Sequence, residues 1–90
     1  MNGLEKYFND CLALVNDMAP RLPPEDIVLA EHFIQHGEPP EGIRILAFSI
    51  VKNGVKISPT ALDRMKDYMD GFIDPAHLPA DLDACATEDE

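Results

Sequence analysis

Basic residues are scarce in this chain, and the scarcity excludes more than any motif in it. Seven lysines and arginines face seventeen aspartates and glutamates, for a formal charge of −10 over 90 residues. Nucleic acid and anionic lipid are held by basic patches, so neither a nucleic acid nor a membrane is an expected partner. Between Arg21 and Arg44 lie Glu25, Asp26, Glu31, Glu38 and Glu41, with no lysine or arginine among them. After Lys66 come Asp67, Asp70, Asp74, Asp81, Asp83, Glu88, Asp89 and Glu90, again unopposed. Such a surface attracts and steers a basic protein. It also serves the plainer purpose of keeping a small protein in solution.

Cysteine is equally sparse. Cys11 and Cys85 make no disulfide framework, and a reducing cytoplasm is the natural compartment for such a chain. No stretch resembles a signal peptide, and the longest apolar run, Ile43–Val51, falls far short of the roughly 20 residues that span a bilayer. Glycine-rich phosphate loops, a nucleophile elbow, a Cys-x-x-Cys pair and a metal-ligand cluster are all missing. No catalytic residue, metal site or cofactor is therefore expected, and the chain does not read as an enzyme. His32 and His36 stand at i and i+4, but zinc requires further ligands; they read as surface histidines.

What is present is apolar periodicity. Ile43–Val51 is interrupted only by Arg44 and Ser49. As a helix it is apolar nearly all round and must be covered on more than one side. The same residues suit a strand, and Asn53-Gly54 between Val51-Lys52 and Val55-Lys56 is a strong hairpin signal. No third strand is visible, however, and Gly54 also suits a helix stop with Val55 touching Ile50. The helix is the preferred reading.

Amphipathic segments flank this centre. Asn2 with Glu5 reads as a cap for a helix whose apolar stripe is Leu4, Tyr7, Phe8, Cys11, Leu12, Val15 and Met18, ending near Pro20. Cys11 sits in the stripe as a small core residue. Pro23-Pro24-Glu25-Asp26 opens a second helix that buries Ile27, Ala30, Phe33 and Ile34, with Leu29 beside them, and stops at Gly37. Glu38-Pro39-Pro40-Glu41-Gly42 is a rigid acidic joint. There Glu38 either stabilises free helix amides or meets a partner's lysine. Ser58-Pro59 opens a fourth helix with a stripe of Ala61, Leu62, Met65, Tyr68, Met69, Phe72 and Ile73. From Asp74 the pattern dissolves. The expected architecture is all-α: a small bundle of four helices over residues 1–74, and an extended acidic tail over 75–90 that is partly packed or mobile. Leu78 and Leu82 could still pack on the bundle, and about the last five residues should move freely.

The segment Ile34-Gln35-His36-Gly37-Glu38, followed by the helix Ile43–Val51 and by Ile57-Ser58-Pro59 at the head of another, resembles the small Maf-type immunity proteins. These guard bacteria against toxins of contact-dependent growth inhibition systems. The similarity covers roughly Asp26 to Phe72; the Pro39-Pro40 pair departs from it at the joint. The resemblance implies tight one-to-one neutralisation of a toxin domain, commonly a ribonuclease and in some cases an EndoU-like one. A ribonuclease holds phosphates in a basic cleft, which an acidic protein can occupy instead.

The expected function is thus a cytoplasmic immunity protein, monomeric until it forms a heterodimer with a basic toxin nuclease domain. The expected toxin-binding residues are Glu25, Asp26, Glu31, Glu38 and Glu41 around the second helix. Asp63, Asp67 and Asp70 on the fourth helix form a second set, with Tyr68 as an aromatic anchor. The rival reading is an acidic regulatory adaptor or antitoxin-like subunit acting through helix-mediated contacts.

Overall fold

Proline and glycine placement decides where the helices of this chain begin and end. The computed structural model describes residues 3–87, within which four α-helices pack as a small bundle: α1 Gly3–Met18, α2 Pro24–Gln35, α3 Pro39–Lys52 and α4 Pro59–Met69. The last three each carry proline in the first turn, where a missing N–H loses no helical bond. The Ser58 hydroxyl caps α4 by accepting from the Ala61 N–H at 3.1 Å. The expected cap at Asn2 lies outside the described residues. Among the described residues no helix is long and apolar enough to cross a membrane.

Ile43–Val51 is helical throughout. Gly54 adopts φ +63°; its N–H donates to the Val51 carbonyl at 3.2 Å, and the Val55 N–H reaches the Ile50 carbonyl at 3.1 Å. These are the two bonds of a Schellman stop. Asn53-Gly54 therefore ends a helix instead of turning a hairpin.

α3 touches each of the other helices and buries Ile43, Leu46, Ala47 and Ile50. It approaches α2 tightly at Gly42, where an added Cβ would lie 2.6 Å from the Ala30 carbonyl oxygen and 2.6 Å from Ile34 Cγ1. Ser49, the buried polar residue of α3, donates to Asp26 Oδ2 of α2 at 2.6 Å. The cover is incomplete: Phe48 and Leu29 are exposed, and Phe33 is only half-buried.

Two stripes differ from expectation. In α1, Leu4 is exposed, Tyr7 and Phe8 are half-buried and Cys11 is buried, so cover increases along the helix from its N-terminus. Leu14, absent from the expected stripe, is buried with Cys11, Val15 and Met18. In α4 the helix stops at Met69, a turn early. Asp70 (φ −59°, ψ 129°) and Gly71 (φ +81°) form a type II turn, closed by the Phe72 N–H on the Met69 carbonyl at 3.0 Å. Such a turn wants glycine at its third position. Phe72, expected in the core, is consequently 68% exposed.

The tail is not extended over its described part. It makes single 3-10 turns at Pro75–His77 and Asp83–Cys85, and it buries Leu82 and Cys85. Ile57 pairs with it in a parallel bridge, donating to the Cys85 carbonyl at 2.9 Å and accepting from Thr87 at 2.8 Å. Lys56 Nζ donates to the Ala84 carbonyl at 3.0 Å, and Arg44 Nε to the His77 carbonyl at 3.2 Å. Of the residues expected to be mobile, Ala86 and Thr87 are held in this pairing, and Glu88–Glu90 lie outside the described residues.

Candidate functional site: an acid-rimmed trough

The joint between α2 and α3 faces the turn after α4 across an open cavity of about 220 Å³, lined by Gly37, Glu38, Pro40, Glu41, Phe72 and Ile73. Glu38 precedes the first turn of α3, but its exposed carboxylate makes no capping hydrogen bond. That carboxylate is thus left without a hydrogen bond to the helix amides. Glu41 accepts from Arg44 Nη1 at 2.9 Å. The same guanidinium lies 5.1 Å from the centre of the Phe48 ring. Ile73 also lines a second cavity of about 280 Å³, with Lys66, Met69, Asp70, Pro75 and Leu78. One side chain thus divides two hollows that together carry Glu38, Glu41 and Asp70. Lys66, at the second, is already paired with Asp83.

Phe72 stands at the lip of the first hollow. Its ring stacks on Tyr7 with centroids 6.0 Å apart, and Tyr7 meets Tyr68 edge-on at 6.0 Å. The Tyr7 hydroxyl donates to the Tyr68 carbonyl at 2.5 Å. Burial raises the Tyr7 phenol well above its ordinary range. Burial likewise pushes the neighbouring Cys11 thiol up to about 11, so it stays protonated and unreactive near neutrality. Tyr68 is half-buried, and its hydroxyl accepts from Arg64 Nε at 3.3 Å. That guanidinium lies 6.0 Å from the centre of the Tyr68 ring and 3.8 Å from Asp17.

The expected binding residues therefore do not form one patch. Glu38, Glu41 and Asp70 line the two hollows. Asp26 is tied to Ser49 inside the α2–α3 contact. Glu25 is exposed and Glu31 half-buried on α2, and Asp63 and Asp67 are exposed on α4, away from the cavity linings. Phe72 was missed as a surface residue because the apolar stripe of α4 runs on through it. The signal that could have found it is Asp70-Gly71, a turn pair in the middle of that stripe. The rings of His32 and His36 lie with centres 4.1 Å apart, tilted by 33°, and His36 Nδ1 lies 2.7 Å from the His32 carbonyl oxygen. Among the described residues no cluster of three potential metal ligands exists.

No protein-family model, no curated protein and no solved structure matches this chain.

Proposed function

We propose that this protein is an acidic binding module that neutralises a basic protein partner, and specifically an immunity protein that occludes the active-site cleft of a cognate bacterial toxin nuclease. The observation that carries the reading is the trough. Carboxylates of Glu38, Glu41 and Asp70 rim two adjoining hollows, with an exposed aromatic ring between helix joint and turn. A cationic surface that normally grips phosphate is the complement of such a face. The resemblance of Asp26–Phe72 to Maf-type immunity proteins supports the same partner, as does the net charge of −10. On this reading the protein acts in the cytoplasm, without catalysis, metal or cofactor, as one half of a one-to-one complex. Glu25, Glu31, Asp63 and Asp67 supply surrounding negative potential, Asp26 serves the fold, and Tyr68 supports Phe72 through Tyr7.

The test is to mix the purified protein with the nuclease encoded beside its gene and follow RNA cleavage. Inhibition complete near equimolar protein is expected; undiminished cleavage at that ratio refutes the reading. The adaptor reading draws on a different observation, the adjacent exposed side chains Val28 and Leu29 of α2. Sedimentation separates the two, since a self-associating adaptor would not run as a monomer.

A further inference from the structure

We infer that the hollow between Glu38 and Phe72 is the seat of a single arginine side chain presented by the basic partner. The inference rests on the proposed function for the identity of that partner, but its geometry comes from a pattern inside the protein. The chain has three arginines, and two of them sit between a carboxylate and an aromatic ring. Arg44 lies between Glu41 and Phe48, and Arg64 between Asp17 and Tyr68. A guanidinium suits this arrangement because its edge donates to carboxylate while its face stacks on a ring.

Glu38 and Phe72 bring a carboxylate and a ring to the lining of one hollow. Both line the cavity of about 220 Å³, and no lysine or arginine lines it with them. Glu38 has no ion pair among the described residues, whereas Glu41 is already neutralised by Arg44. One face of Phe72 is taken by Tyr7, yet the residue remains 68% exposed. The Asp70-Gly71 turn fixes that ring at the lip, and Pro40 and Ile73 give the hollow apolar walls for the methylene stem of the incoming side chain. Charge complementarity selects the occupant: an acidic, ring-bearing hollow on a protein of net charge −10 excludes an acidic side chain and leaves an apolar one facing an uncovered carboxylate.

The experiment uses the full-length ¹⁵N-labelled protein and two probes, a hexa-arginine peptide and a hexa-lysine peptide, followed by amide chemical shifts. The arginine peptide is expected to move the Gly37, Glu38, Glu41 and Ile73 amides more than those of Asp63 and Asp67 on the outer face of α4. Phe72→Ala should weaken that peptide roughly two- to fivefold, as expected for an exposed cation–ring contact, and should change hexa-lysine binding less. Glu38→Gln should weaken both. Phe72→Leu keeps apolar bulk while removing the ring, and it serves as the second variant should Phe72→Ala unfold. Shifts spread evenly over every acidic face, or equal arginine affinity in wild type and Phe72→Leu, would overturn the seat. No nuclease enters this assay. Toxin inhibition with evenly spread shifts therefore defeats the arginine seat alone, and a focused response without toxin inhibition defeats only the immunity function.

Discussion

Ser49 needs a hydrogen-bond partner where α2 and α3 meet, and Asp26 supplies it at 2.6 Å. A carboxylate that looks like part of an acidic surface run is thereby committed to the fold. Asp26→Ala leaves the hydroxyl with only Asn53 Nδ2 at 3.4 Å from among its side-chain contacts. It should cost about 1–3 kcal/mol, read as a lower urea midpoint, while partner affinity per folded molecule stays unchanged. Cys11 gives a residue-scale prediction in pH. Its thiol ionises near 9.0 ordinarily and near 11 in the fold, chiefly through burial. Above pH 9 the unfolded chain gives up this proton first, so stability falls until pH reaches about 11 and is level below pH 9. The half-buried Tyr7 phenol, also raised, adds a loss of the same sign that begins above pH 10, where the unfolded phenol ionises. Cys11→Ala should flatten the fall between pH 9 and 10, below the range where Tyr7 contributes, in a series of denaturation midpoints; a slope there unchanged by the substitution contradicts the assignment.

At the scale of the element, the beginnings of α2, α3 and α4 and the stop of α3 were the most legible features. Pro24, Pro39 and Pro59 open α2, α3 and α4, and Gly54 closes α3 by a mechanism readable from Val55 and Ile50 alone. The helix-or-strand ambiguity of Ile43–Val51 was real in the sequence, because Asn-Gly serves both endings; packing against α1, α2 and α4 is what a helix there provides. The site was less legible. Its acids Glu38, Glu41 and Asp70 were named, but the surface ring between them was not, since periodicity cannot tell when a stripe outlives its helix. The tail was only partly readable, for a related reason: Leu78 and Leu82 were open to packing on the bundle, but Cys85 was not foreseen there. Leu78, Leu82 and Cys85 reach the bundle from irregular turns, with no period to announce them. Gly42 tests how tightly α2 and α3 are fitted. Any Cβ there strikes the Ala30 backbone carbonyl, which cannot swing aside as a side-chain end can. Gly42→Ala should therefore cost about 1–3 kcal/mol as an overpacked contact, despite alanine's better helix propensity. An urea midpoint equal to or above wild type would show that the two helices can part without loss.

Over the whole molecule, charge and shape have separate tasks in any complex with a basic protein, and kinetics separates them. A net charge of −10 acts at long range, speeding encounter in proportion to how little salt screens it. The Debye length falls from about 30 Å at 0.01 M salt to about 10 Å at 0.1 M, so most of this steering disappears over that range. On the proposed function the trough would act only after contact, through Glu38 and Phe72, where water is displaced and screening is weaker. Association with the partner should therefore slow by about tenfold or more between those two salt concentrations, while dissociation changes far less. Removing exposed acids that lie away from the hollows, in the combined variant Glu25→Gln, Asp63→Asn and Asp67→Asn, should lower the association rate and leave dissociation intact. Phe72→Ala should do the reverse, since truncating a central anchor speeds release. Surface-plasmon kinetics at two salt concentrations would check both. If the triple variant released faster and Phe72→Ala did not, the outer faces of α2 and α4 would be the contact, and the trough would lie outside it.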